Sequence, residues 1–167
     1  MSEKNLTKVR LRAMEPEDLD FLYNIENDRE LWNVGNTNVP YSRYVLHDYI
    51  ANATNDIYSD GQVRMIVENA DGRTVGMADL FDFNASHRRA ELSIVVMQGF
   101  RRCGYAEASV RYMLHYAQRI LHLNQVYAVI SVDNRPSIAL FDKCGFTTSA
   151  NLPKWLFDGE KYTDAAV

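Results

Sequence analysis

Residues 98–117 read QGFRRCGYAEASVRYMLHYA, and the reading of this junction decides the fold. An apolar run, Ala90 to Met97, leads into it. A periodic stretch leaves it, with Ala106, Val110, Met113, Leu114, Ala117 and Leu121 at i, i+3, i+4 spacing. That spacing predicts a helix from about Gly104 to His122 with one apolar face. A strand therefore feeds a helix through a short turn that holds two arginines, one glycine and several small residues. A helix start offers unpaired backbone N–H groups and the positive end of a dipole, and both favour anions. Gly104 lets the backbone approach a ligand, Ala106 keeps the next position small, and Arg101 and Arg102 supply charge to match a pyrophosphate. Two readings stand here: a seat for a phosphate-bearing ligand, or a plain strand-to-helix turn with surface arginines. A nucleoside-triphosphate loop is excluded, because no Lys-Ser or Lys-Thr pair follows Gly104, and so is a dinucleotide fingerprint, because G-x-G-x-x-G is absent.

Working outward, residues 62–69 and 74–83 are apolar-rich runs joined by Asn69-Ala70-Asp71-Gly72, a hairpin signal. With Ala90–Met97 they predict an antiparallel three-strand meander. Upstream, Val9, Leu11 and Ala13 alternate with Arg10 and Arg12, which predicts a strand over 8–13. Pro16 suits the first turn of a helix carrying Leu19, Leu22, Tyr23 and Glu26. After an Asn-rich loop from Trp32 to Pro40, Ser42 caps a second helix with Val45, Leu46, Tyr49, Ile50 and Ala53 on one face. Downstream, Val126–Val132 reads as a buried strand, and Asn134 caps a short helix that ends near Cys144 with Gly145 as its stop. Trp155–Phe157 and Tyr162–Val167 make a last hairpin. The order βααβββαβαββ gives an α+β (α/β) layer fold, a mixed sheet with helices on its faces.

The chain of 167 residues is read as one domain over 1–167. Its net charge of −4 argues against a nucleic-acid surface, which needs clustered Lys and Arg. No 18-residue apolar stretch is present and MSEKNLTKVR lacks the apolar core of a signal peptide, so the protein is read as cytoplasmic, with no membrane partner. Cys103 and Cys144 are too few and too far apart for a zinc site or a disulfide framework, and the four histidines show no H-E-x-x-H pattern; no metal is expected.

Arg101-x-x-Gly104-x-Ala106, between a strand and a long helix, resembles the Gln/Arg-x-x-Gly-x-Gly/Ala coenzyme A signature of the GNAT superfamily of N-acetyltransferases. A second block, DNRPSIALFDKCGF (133–146), is similar to that family's Asn-x-x-Ser/Ala-x-x-Leu/Ile-Tyr/Phe-x-Lys-x-Gly-Phe segment, through Asn134, Ser137, Leu140, Phe141, Lys143, Gly145 and Phe146. VRLRAMEPEDLDFLYNIEND resembles the family opening, so the resemblance covers nearly the whole chain. ASHRRAELSIVV (85–96) is similar to the run entering the fourth strand of the polyamine (spermidine) acetyltransferases, a group neighbouring the enzymes that acetylate N-termini of ribosomal proteins.

The resemblance implies a mostly antiparallel central sheet flanked by helices, acetyl-CoA as cofactor, and acetyl transfer to a primary amine, either a small molecule such as spermidine or a protein N-terminus. A non-catalytic acyl-CoA-binding module is the competing reading, supported by Phe141, and a homo-oligomer is a further implication of the resemblance. The strand at 90–97 would splay from the strand at 126–132, with backbone groups of Ile94, Val95 and Val96 bonding the pantetheine arm. The N–H groups of Arg101, Arg102, Cys103, Gly104, Tyr105, Ala106 and Glu107 would hold the pyrophosphate, and Asn134, Ser137, Phe141 and Lys143 would complete the cofactor side. An alkylamine has a pKa of ~10.4 and needs a base or a desolvating pocket. Glu91 is the candidate base, directly or through a water; its alternative is an ion pair with Arg88 or Arg89. Asp79 and Asp82, and likewise Glu26, Asp28 and Glu30, either anchor substrate ammonium groups or form a solvated face. The family's tyrosine acid position is Phe141, which has no proton to give. A thiol of pKa ~8.5 leaves readily as thiolate, so activity need not require that acid; water, Cys144 or Tyr127 would serve instead.

Overall fold

The computed structural model describes residues 7–32 and 39–167. Five strands form the main sheet in the order β1-β2-β3-β4-β5: β1 (Val9–Arg12), β2 (Val63–Asn69), β3 (Thr74–Asn84), β4 (Arg89–Val96) and β5 (Gln125–Tyr127). The first four are mutually antiparallel, and β5 joins parallel to β4. The β2–β3 turn forms because Gly72 accepts a φ of 75°, while the Asn69 side chain accepts from the N–H groups of Asp71 and Arg73 at 3.0 Å each. At Gly76 a Cβ would overlap the Val95 carbonyl, so only glycine lets β3 and β4 approach this closely.

Both faces of this sheet are covered. On one, α5 (Tyr105–Arg119) buries Val110, Met113 and Ala117 against Val75, Leu80, Ala90 and Leu92. On the other, α1 (Leu19–Glu26) and α3 (Arg43–Asn52) bury Leu22 and Leu46 against Ile66 and Met77. The Ser42 side chain caps α3 by accepting from Val45 N–H at 3.1 Å. Alternation along β3 and β4 places Asp79, Glu91 and Ser93 on the α1/α3 face with Met77 and Val95.

The α+β class and the meander are as expected, and three element readings are corrected. The run Val126–Val132 is not one strand: β5 ends at Tyr127, and β6 (Ile130–Ser131) belongs to a second sheet, at whose edge it pairs with the C-terminal hairpin. Two short helices, α2 (Arg29–Trp32) and α4 (Ile57–Asp60), occupy stretches where the sequence reading placed no element; residues 33–38 of the Asn-rich loop lie outside the described residues. The last hairpin is longer than read, β7 (Asn151–Phe157) with β8 (Tyr162–Ala166), because the chain passes Pro153 through a register shift between Leu152 and Leu156, with Lys154 at φ 51°. The remaining helix, α6 (Arg135–Lys143), follows β6.

Candidate active site

The break in the sheet creates the opening. β4 and β5 pair only at Arg89↔Gln125, Ala90↔Val126 and Glu91↔Tyr127, after which the second strand departs to the other sheet. Among the described residues no strand pairs with the edge of β4 from Leu92 to Val96 on that side, and Ile94, Val95 and Val96 lie on this stretch. An extended ligand arm can bond such an edge as an added strand.

Beyond β4, a single 3-10 turn over Gln98–Phe100 leads to the arginine loop. Arg101 Nε donates to the Val96 carbonyl at 3.1 Å, closing the loop onto the strand that precedes it. Arg102 at φ 62° and Gly104 at φ 84° both sit in the left-handed region; for the arginine this costs ~1 kcal/mol. The first helical bond of α5 runs from Ala108 N–H to the Gly104 carbonyl at 3.1 Å, and no side chain caps this end. The N–H groups of Gly104, Tyr105, Ala106 and Glu107 thus remain for an anion, beside two exposed arginines. This donor set fits a pyrophosphate.

The other residues read as cofactor contacts are largely occupied with one another. Lys143 Nζ pairs with Glu107 Oε2 at 2.5 Å, and Arg111 bridges Glu107 Oε1 at 3.1 Å to the Lys143 carbonyl at 2.7 Å, clamping the end of α6 to the start of α5. The Lys143 ammonium and then Arg111 hold the Glu107 carboxyl below its ordinary pKa. Asn134 Oδ1 accepts from Ser137 N–H at 3.2 Å and caps α6. Phe141 is 5% exposed and packs edge-on against Phe146, with ring centroids 4.8 Å apart. It lines a cavity of about 450 Å³ between α5, β5 and α6, together with Leu114, Ala117, Ala128 and Ile138.

Glu91 stands at the last β4–β5 rung. Its Oε1 accepts from Val129 N–H at 3.3 Å, a donor that lost its ladder partner where the strand leaves the sheet. Burial, and then the charge of Asp82, raise its pKa, with the Val129 bond opposing them. The Glu91 ion pair with Arg88 or Arg89 is absent among the described residues, whose salt bridges lie elsewhere. Asp82, exposed and at φ 49° where β3 bulges, accepts a short hydrogen bond from the Tyr127 hydroxyl. Burial and that bond raise the Tyr127 pKa; burial also raises that of Cys144. Both are poorer proton donors than the ordinary residues would be.

Asp79 corrects a reading. Its carboxylate takes Arg64 Nε at 2.8 Å and Nη2 at 3.0 Å, while Arg64 Nη1 reaches Glu26 Oε1 at 2.6 Å. With its lone pairs directed at a buried guanidinium, Asp79 is not presented to a substrate ammonium, and Glu26 is drawn into the same cluster. Arg64 was missed in the sequence because its partners lie 15 and 38 residues away.

A family model described as Acetyltransferase (GNAT) domain matches residues 8–147. The chain belongs to the GNAT acetyltransferase family. It is an N-acetyltransferase that uses acetyl-CoA. Among relatives of this GNAT chain, spermidine N(1)-acetyltransferase of Vibrio cholerae serotype O1 is 28% identical over 158 residues, covering 95% of this chain and 90% of that one. The enzyme of the same name from Escherichia coli strain K12 is 27% identical over 161 residues, covering 94% and 82%. The crystal structure of the Vibrio cholerae enzyme with CoA and spermine superposes with a TM-score of 0.81 at 28% identity, over 95% of this chain and 92% of that chain. A dodecameric structure of the Vibrio cholerae enzyme gives 0.78 at 29% identity, over 95% and 90%. Among the described residues, no helix is long and apolar enough to cross a membrane and no His/Cys/Asp/Glu group could hold a metal ion.

Proposed function

We propose that residues 1–167 form one acetyltransferase domain that acetylates a primary amine of a polyamine such as spermidine, with Glu91 as the base. The observation that carries this reading is the half-buried Glu91 carboxyl, its pKa raised by burial and by Asp82, at the point where β4 loses its neighbour. A carboxylate with a raised pKa takes a proton from an ammonium group more readily than an ordinary glutamate. Asp82, one strand away and fixed by Tyr127, supplies a second negative charge for a cationic acceptor. The backbone edge at Ile94–Val96 and the N–H groups of residues 102–107 would hold the cofactor, which when bound supplies the acetyl thioester; the Arg101 N–H is spent on the Gln98 carbonyl at 3.3 Å and leaves the set. Phe141 cannot donate a proton, and burial leaves Tyr127 and Cys144 poor donors, so these side chains would leave protonation of a departing thiolate to water. We assign the chain to the cytoplasm, where free cysteines such as exposed Cys103 stay reduced, and to an oligomer of like chains.

Release of free CoA thiol from acetyl-CoA in the presence of spermidine, spermine and N-terminal peptides tests this. Turnover with the polyamines, lowered about 10²–10⁴-fold in Glu91→Gln, is expected. Turnover confined to peptides would transfer the reading to protein N-termini, and CoA binding without turnover on any amine would leave a non-catalytic module.

A further inference from the structure

The arginine loop is held from an unexpected direction. The Thr7 hydroxyl, in the segment before β1, donates to the Cys103 carbonyl at 2.8 Å, across 96 residues of chain. Cys103 lies between the two left-handed residues, Arg102 and Gly104. A peptide unit is planar and trans, so its C=O and N–H point in opposite directions. Anchoring the Cys103 carbonyl to Thr7 therefore aims the Gly104 N–H away from Thr7. That N–H is the first donor of the set at the start of α5. The contact is close on both sides: a Cβ on Gly104 would overlap Thr7 Oγ1. The loop is thus tied at one end by Arg101 to Val96 and in its middle by Thr7.

We infer that Thr7 is a positioning residue for cofactor binding, setting the Cys103–Gly104 peptide so that its N–H faces the pyrophosphate of coenzyme A. Thr7 acts through one peptide plane. The inference rests on the reading of residues 102–107 as the pyrophosphate seat. Without the hydroxyl, the Cys103–Gly104 peptide loses that anchor and is free to rotate, and the donor is lost from the set for part of the time.

The test compares Thr7→Val, which keeps shape and removes the donor, with Thr7→Ser, which keeps the donor. Calorimetry with CoA is expected to show Kd raised about threefold to tenfold in Thr7→Val, the weight of one hydrogen bond, and restored in Thr7→Ser. Steady-state kinetics should show the same rise in KM for acetyl-CoA, with kcat and the KM for amine unmoved. S-acetylpantetheine, a donor that ends before the pyrophosphate, should show no change of KM in Thr7→Val. An unchanged CoA Kd in Thr7→Val, or an equal loss with S-acetylpantetheine, overturns the inference. Arg102→Ala and Gly104→Ala separate the two levels: if both raise the CoA Kd while Thr7→Val does not, the positioning role alone fails. If neither raises it, the pyrophosphate seat itself is wrong.

Discussion

Replacing Arg64 by methionine removes the cation that two inward-facing carboxylates share. Asp79 and Glu26 side chains are 11% and 15% exposed, and Arg64 itself 17%. Breaking a buried pair from one side leaves an uncompensated charge and costs about 3–5 kcal/mol. For a chain of this size each kcal/mol lowers Tm by about 2–4 °C, so Arg64→Met should lower it by about 6–20 °C. Adding Asp79→Asn and Glu26→Gln to the Arg64→Met variant removes the stranded charges and should return part of the loss. Thermal and urea melts at neutral pH are the assay. A drop below about 1 kcal/mol, the scale of a solvent-screened surface pair, would refute the account of the cluster as buried.

Glu91→Gln should lower kcat/KM by about 10²–10⁴, the range for loss of a general base, and Asp82→Asn should move the acidic limb of the kcat/KM profile to lower pH, since the Asp82 charge helps Glu91 keep its proton. Phe141→Tyr should change kcat by less than about tenfold, or ~1.4 kcal/mol, because the thiolate leaves unaided; its buried hydroxyl should register in the melt as a loss of about 1–3 kcal/mol. Lys143→Met should lower Tm by about 1–4 °C at pH 7. Glu107 has a depressed pKa in the folded state, so the stability it gives is present above the ordinary carboxylate range and is lost as pH falls through the depressed value; parent and variant melts should converge in strong acid.

What was legible in the sequence was local. Val110, Met113 and Ala117 repeat at the period of a helix, and Asp71-Gly72 can do little but turn, so α5 and the meander could be placed from short windows. The split after Tyr127 could not. Val126–Val132 is apolar but for Ser131, and whether such a run stays in one sheet depends on where partner strands stop, which no window contains. Helices as short as Arg29–Trp32 and Ile57–Asp60 hold about one turn and no repeat to detect. The candidate site divides in the same way. Arg101, Gly104 and Glu91 could be singled out from motif and position, while the engagements that qualify them, Asp79 with Arg64, Glu91 with Val129 and Thr7 with Cys103, join residues 15, 38 and 96 apart. Asn134 was legible both as a motif residue and as the cap of α6, and the structure spends its side chain on the cap.

The layout along β4 has a consequence for encounter with ligands. Glu91 and Asp82 lie near one end of the strand and the arginine loop beyond the other, about 17 Å from Glu91 to Val96 at the usual rise per residue. The Debye length is about 8 Å at physiological ionic strength. A polycation and a polyanion approaching the two ends are then each steered by their own local field, and neither binding step screens the other. Diluting the salt to about 0.01 M stretches that length to about 30 Å, so the two fields overlap and partly cancel at long range. Association rates for acceptor and cofactor should then rise less steeply on dilution than either patch alone would dictate.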